Sequence, residues 1–154
     1  MELVVVLAIA AVVALSIAYS IPGLGSDGNP VAADMLAAHL RYARSLALNR
    51  EQTLGVVISV ASNCYTISGA AGAPPANDPV TQQSNWVVNL SNAYPGARLS
   101  AVTLSGPDPY VLYFNATNGV PYDRAVPLTV TAAVTFASGK TVLIVPDTGF
   151  VRVQ

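Results

Sequence analysis

Residues 29–51 read NPVAADMLAAHLRYARSLALNRE. Leu36, Leu40, Ala43 and Ala47 recur at three- and four-residue steps, and Met35, Tyr42, Leu46 and Leu48 widen the same apolar stripe. That is the period of a helix with one buried side. Pro30 suits a first helical position with Asn29 as its cap, because proline lacks the N–H that the first turn cannot satisfy internally. Arg41 and Arg44 fall elsewhere on the wheel, and Asp34 lies two turns before Arg41. The spacing predicts an amphipathic helix over about 30–51, with its apolar side laid on a sheet.

Downstream the period changes to two. Thr53 to Val60 reads as a strand, and Cys64 to Ser68 as its hairpin partner across Ala61-Ser62-Asn63. Residues 69–85, GAAGAPPANDPVTQQSN, are too rich in Gly, Pro, Ala and Asn for a regular element and read as a loop. Further strands are expected at Trp86 to Leu90, Ala97 to Leu104, Tyr110 to Asn115, Pro127 to Phe136, Thr141 to Val145 and Phe150 to Val153. Tyr94-Pro95-Gly96, Gly106-Pro107-Asp108-Pro109, Asn118-Gly119, Ser138-Gly139 and Pro146-Asp147-Thr148-Gly149 supply the turns between them. Successive strands joined by short turns favour antiparallel hairpins over parallel crossovers. No internal repeat is evident along the strands.

Upstream, residues 1–22 read MELVVVLAIAAVVALSIAYSIP, with no charge from Leu3 to Ile21 and a single acid, Glu2, at the head. As a helix the uncharged run is roughly 29 Å long, close to the hydrocarbon thickness of a bilayer. Pro22-Gly23-Leu24-Gly25-Ser26 breaks or bends it. The residues alone leave a cleaved secretory signal, a membrane anchor and a packing helix open. A signal calls for a basic head and a shorter apolar core, although Ala18-Tyr19-Ser20 resembles a cleavage site. Neither a signal nor a plain anchor gives Glu2 a role. A carboxylate at membrane depth costs a few kcal/mol and so wants a partner. The expected architecture is α+β: a long N-terminal α-helix, hydrophobic over 1–22 and amphipathic over about 30–51, packed on antiparallel β-sheet structure over about 53–153.

Composition narrows the function. Only 10% of the 154 residues are charged and the mean hydropathy is +0.51, against about 25% charged in an average soluble domain. A surface so poor in charge suits a chain that packs against copies or relatives. A net charge of −1, with seven Lys and Arg scattered along the chain, gives no electrostatic footprint for nucleic acid. Cys64 is the one cysteine, so no internal disulfide can form. His39 is the one histidine and reads as a packed or partly exposed helix residue, because no nucleophile accompanies it and no Gly-x-Ser-x-Gly elbow occurs. Cys64 reads as a small buried apolar residue. Asp78, Asp108, Asp123 and Asp147 sit in Pro- or Gly-containing turns, where aspartate bonds its own backbone. No Asp-x-Asp loop, P-loop or dinucleotide fingerprint is present. The expectation is a chain with no catalytic residue, metal ligand or cofactor.

The head of the chain, Glu2-Leu-Val-Val-Val-Leu-Ala-Ile, and its run of small residues resemble the N-terminus of type IV pilins and type II secretion pseudopilins. In that family a leader is cut after a Gly, and the mature chain opens Phe-Thr-Leu-x-Glu-Leu. Met1 takes the variable position and Glu2 the glutamate, while Gly-Phe-Thr-Leu is not in this sequence. Residues 40–47, Leu-Arg-Tyr-Ala-Arg-Ser-Leu-Ala, are similar to the matching helix of pseudopilin H and related minor pilins. The closing Lys140-to-Val151 stretch, KTVLIVPDTGFV, resembles their final hairpin around a Thr-Gly turn.

The resemblance implies a structural subunit, not an enzyme, that polymerises through its N-terminal helix into a pilus or pseudopilus filament. It implies an inner-membrane span before assembly and a periplasmic or extracellular domain over 23–154. Implied partners are copies of itself or other pilin subunits, a prepilin peptidase and an assembly platform, with N-terminal methylation. Glu2 is the implied assembly contact, pairing with a neighbour's terminal amine and fixing axial register. Ala8, Ala10, Ala11, Ala14, Ser16 and Ala18 would let helices approach closely. The alternatives are a minor pilin that binds DNA for uptake and a membrane-tethered periplasmic enzyme or binding module.

Overall fold

The computed structural model describes residues 27–69, 76–78, 82 and 86–154. Helix α1 (Asn29–Arg50) leads into strands β1 (Leu54–Ser59), β2 (Cys64–Ser68) and β3 (Val87–Asn89). A one-turn helix α2 (Leu90–Ala93) and strand β4 (Leu99–Val102) follow. Strands β5 (Tyr110–Phe114), β6 (Pro121–Asp123), β7 (Val126–Pro127), β8 (Ala132–Phe136), β9 (Thr141–Ile144) and β10 (Val151–Val153) complete the order. The apolar stretch 1–22, its bend at Pro22 and Glu2 lie outside the described residues.

The strands form two antiparallel sheets in place of one continuous sheet: β3-β2-β1-β5-β6-β7 and β10-β9-β8-β4. Helix α1 is the common wall. Ala32, Ala33, Leu36, Ala37, Leu40, Ala43 and Ala47 are fully buried along it, and the helix touches β1 and β5 of one sheet and β9 and β10 of the other. Five of those seven side chains are alanines, so the helix axis comes close to both sheets at once. Leu54, Val56, Ile58, Tyr65, Ile67, Leu112 and Phe114 face it from the larger sheet. Val134, Phe136, Val142, Ile144 and Val151 face it from the smaller.

The helix ends differ from the expectation at the start. Gly28, not Asn29, occupies the cap position, and Asn29 is the first helical residue. The Asn29 side chain is buried, and its Oδ1 accepts a hydrogen bond from the Arg98 N–H at 2.7 Å. It therefore joins the helix to the segment leading into β4, while Asp27 accepts from the Asn29 N–H at 3.1 Å. A Cβ on residue 28 would lie 2.5 Å from the Pro95 carbonyl oxygen, so glycine is required there for space. At the far end Glu51 takes the left-handed conformation (φ 51°), and its N–H and that of Gln52 close back on the last turn. Tyr42, expected on the buried stripe, is 41% exposed and meets the Trp86 ring edge-on at 5.7 Å.

The expected β1–β2 hairpin forms, with Ser59 opposite Cys64 and Gly55 opposite Ser68, so Val60 joins the turn. The expected strand from Pro127 to Phe136 is split. Val126–Pro127 closes the larger sheet against β6, and Ala132–Phe136 pairs in the smaller one with β9 and β4. Exposed Thr129, Val130 and Thr131 carry the chain across. Strand β6 was not anticipated, because Pro-Tyr-Asp is too short to show alternation. The strand expected at Trp86 to Leu90 stops at Asn89, whose Oδ1 accepts from the Asn92 N–H at 3.2 Å and so caps α2.

Candidate functional site

Three groups of side chains on or near α1 join the elements. The first is a pair of arginines. Arg41 donates from Nε and Nη2 to the Val151 carbonyl oxygen at 3.1 and 2.9 Å, so one guanidinium fork holds the last strand against the helix. One turn on, Arg44 donates from Nε to the Gly119 carbonyl at 3.3 Å. Arg41 uses the planar fork of its guanidinium on a backbone carbonyl, a role that a lysine point charge fills less well. Two of the seven cations in the chain thus hold backbone carbonyls from α1, and Arg124 reaches the Pro107 carbonyl from Nη2 at 3.5 Å.

Arg44 sits where two matching turns meet. In Asn115–Val120, the Gly119 N–H donates to the Asn115 carbonyl (2.9 Å) and the Asn115 N–H to the Val120 carbonyl (3.0 Å). In Val145–Phe150, the Gly149 N–H donates to Val145 (3.0 Å) and the Val145 N–H to Phe150 (2.8 Å). Gly119 and Gly149 have φ of 66° and 63°. One turn joins β5 to β6 in the larger sheet, and the other joins β9 to β10 in the smaller. The hydrogen-bond pattern thus repeats although the sequences Asn-Ala-Thr-Asn-Gly-Val and Val-Pro-Asp-Thr-Gly-Phe share little beyond the glycine. Cβ atoms built on either glycine would lie within about 3.0 Å of Arg44 Nε.

The second group surrounds His39. Its Nδ1 shares a hydrogen bond of 2.8 Å with the Tyr65 hydroxyl, and its ring meets those of Tyr65 and Trp86 edge-on at 5.8 and 4.9 Å. These rings stand at one side of an open pocket of about 530 Å³ whose walls include Met35, Val88, Asn92 and Tyr94. Burial lowers the His39 pKa from 6.5, with the Asp78 charge pulling the other way. Burial also holds the Tyr65 hydroxyl far above its ordinary range. The histidine is neutral near pH 7, as expected of a packed helix residue.

The third group is polar bracing, and most of it escaped the sequence reading. Asn63, in the β1–β2 turn, donates from Nδ2 to the Ala97 carbonyl and to Ser91 Oγ, both at 2.8 Å. Its Oδ1 accepts from the Leu99 N–H at 2.9 Å. One amide so ties the hairpin of the larger sheet to β4 of the smaller. Contrary to the expectation that they bond their own turns, Asp108 and Asp123 reach other loops: Asp108 Oδ2 accepts from the Ala61 N–H (2.7 Å) and Asp123 Oδ2 from the Ser105 N–H (2.6 Å). Cys64 is half-buried, not buried. Desolvation first, and the Asp108 charge second, push its thiol pKa up, which keeps the sulfur a poor nucleophile. Among the described residues no three His, Cys, Asp or Glu side chains come together in a way that could hold a metal ion. No helix among them is long and apolar enough to cross a membrane.

A helix clamped by two arginines to paired sheets, with matched Gly turns, is a fold that can be compared with known proteins. The family profile described as type II transport protein GspH matches residues 32–148. The chain belongs to the GspH family. The match takes in nearly all of α1, every strand but β10 and the first of the two Arg44 turns, and ends at Thr148 within the second. Among solved structures, the GspH-family fold of this chain is similar to that of the minor pseudopilin EpsH from the Type 2 Secretion System of Vibrio cholerae. The TM-score is 0.55 and the identity 18%, over 83% of this chain and 97% of that one. At that identity the likeness is one of fold. No curated protein matches the chain.

Proposed function

We propose that this chain is a structural subunit of a type II secretion pseudopilus, without a catalytic step of its own, built into the filament through its N-terminal stretch. The match of residues 32–148 to the GspH family carries the reading. The fold supports it. Helix α1 packed on antiparallel sheets is similar to the fold of the minor pseudopilin EpsH.

In this reading Met1–Pro22 spans the inner membrane before assembly and joins the helical core of the filament afterwards, with residues 23–154 in the periplasm. Glu2 pairs with a neighbour's terminal amine, which offsets the cost of burying a carboxylate and fixes register. Other pseudopilin subunits, a prepilin peptidase and an assembly platform are its partners.

The test replaces Glu2 by Ala or Val in the full-length chain and follows filaments by electron microscopy and subunit incorporation by blotting. Loss of incorporation with normal membrane levels of the variant is expected. Normal assembly of both variants would remove the role given to Glu2. A wild-type chain absent from the sheared filament fraction, in a strain whose secretion is unchanged by its deletion, would overturn the reading as a whole.

A further inference from the structure

Asn118 is the one asparagine in the chain that is followed by glycine. It is exposed, whereas Gly119 is buried where the two turns meet. Glycine is needed at 119 for two reasons: φ is 66°, and a Cβ there would lie 3.0 Å from Arg44 Nε. The fold therefore sets, next to an exposed side-chain amide, a backbone nitrogen that no neighbouring Cβ shields.

The hydrogen bonds around it polarise the amide and restrain the nitrogen. Asn118 Oδ1 accepts from the Val120 N–H at 3.1 Å, so a donor already points at the oxygen on which negative charge develops when Cγ is attacked. The Gly119 N–H donates to the Asn115 carbonyl at 2.9 Å, and Arg44 Nε holds the Gly119 carbonyl at 3.3 Å. While those bonds last, the Gly119 nitrogen keeps its proton and its place. Attack on Cγ needs a local opening of the turn, which costs far less than global unfolding. Asn115 is an internal control in the same turn. Its Oδ1 accepts from the Thr117 N–H at 2.8 Å in the same way, but alanine follows it.

We propose that Asn118 is a self-modification site, converted through a cyclic imide to aspartate and isoaspartate at a rate that Arg44 governs by its hold on Gly119. In the opened turn hydroxide removes the Gly119 amide proton, and the nitrogen bonds to Asn118 Cγ. The Cγ–Nδ2 bond then breaks, and ammonia leaves with a proton from water. Water adds to one of the two ring carbonyls and opens the imide, which leaves the carboxylate on the side chain or on the main chain. The isoaspartate product carries an extra backbone methylene directly before Gly119, whose carbonyl abuts Gly149. It no longer fits the junction between the sheets. The modification goes beyond the filament reading and does not depend on it.

The experiment incubates the purified full-length chain, in detergent and mildly alkaline buffer, and maps the tryptic peptide Leu99–Arg124, which holds both asparagines. Mass reads the conversion of amide to acid, and fragmentation reads its position and the share of isoaspartate. Conversion at Asn118 and not at Asn115 is expected in the folded wild type, at a lower rate than in the urea-unfolded chain. Arg44→Ala that keeps the wild-type circular dichroism should convert roughly fivefold faster, the factor that follows from losing one hydrogen bond. Hydrogen exchange at the Gly119 amide, followed by NMR, gives a second measurement that needs no variant, because it requires the same opening and the loss of the same proton. Across non-denaturing urea concentrations the exchange and conversion rates of wild type should rise together. Equal conversion at Asn115 and Asn118, or conversion only in the unfolded chain, overturns the site. An unchanged rate in folded Arg44→Ala, or conversion that does not follow Gly119 exchange, overturns the control by Arg44.

Discussion

The carbonyl oxygen of Gly119 lies 2.6 Å from the point that a Cβ on Gly149 would occupy. The turn of one sheet is thus pressed into the turn of the other, and Arg44 fills the space beside both. Two sheets with few direct contacts are held as one body here because neither glycine carries a side chain.

Gly149→Ala is therefore expected to destabilise strongly. The positive φ alone costs an L-residue about 1–2 kcal/mol, and the backbone contact adds to that because the Gly119 carbonyl cannot swing away without losing Arg44. Gly139 supplies the control, with φ 86° and nothing within 4 Å of its Cβ position. Urea unfolding of Gly139→Ala should show the conformational cost alone. Equal losses for the two variants would mean that the turns are not in contact in solution.

Arg41 tests the clamp between helix and final strand. Arg41→Ala removes both hydrogen bonds to the Val151 carbonyl and should cost about 1 kcal/mol, since the side chain is largely exposed and solvent recovers part of the loss. Arg41→Lys should recover less than half, because one ammonium cannot reproduce the fork. Hydrogen exchange at Val151–Val153 is the sharper measurement: faster exchange confined to β10 is expected in Arg41→Ala. Unchanged protection there would show the clamp to be idle.

The elements legible from the sequence were those written in local periodicity. Leu36, Leu40, Ala43 and Ala47 marked the buried side of α1, Ala61-Ser62-Asn63 marked the β1–β2 hairpin and Pro146-Asp147-Thr148-Gly149 the β9–β10 hairpin. What could not be read was set by contacts between distant residues. Nothing in Pro127 to Phe136 signals that its two halves belong to different sheets, because each half pairs with a segment far away in the chain. Asn29 and Asn63 look like ordinary turn asparagines, yet their side chains satisfy backbone groups 69 and 36 residues on. The family resemblance read from residues 40–47 and 140–151 agrees with the match over 32–148, and that span covers the arginines that clamp the fold. Glu2, the one site residue expected, lies outside the described residues.

Asn63→Ala removes three hydrogen bonds and leaves the Leu99 N–H and the Ala97 carbonyl without their partner. With penalties of about 1–3 kcal/mol for a buried unpaired group, a loss of roughly 2–3 kcal/mol is expected, together with the strain of alanine at φ 49°. Asn63→Asp keeps the acceptor for Leu99 and the turn conformation but loses the donor, so it should fall between wild type and Asn63→Ala in chemical denaturation. An Asn63→Asp as damaging as Asn63→Ala would place the weight on the donor side alone.

His39 makes stability depend on pH in a stated direction. Its folded pKa lies below the unfolded 6.5, chiefly through desolvation, so just below pH 6.5 the unfolded chain binds more protons at this position than the folded one. Stability from this group is therefore complete above about pH 7 and declines as pH falls through 6.5 toward the folded pKa, beneath which both states are protonated and the slope vanishes. The Asp78 charge limits the size of the effect. Protonation at low pH also removes the Nδ1 lone pair, so that Nδ1 can then only donate to the Tyr65 hydroxyl. Chemical denaturation at pH 7.5 and pH 5.5 should show wild type losing stability on the acid side, while His39→Gln, which cannot titrate, stays flat across that interval. Carboxylates titrate mainly below it, near pH 4, and leave the window to the histidine. A His39→Gln protein with the same pH slope as wild type would show that the ring is as well hydrated in the folded state as in the unfolded chain.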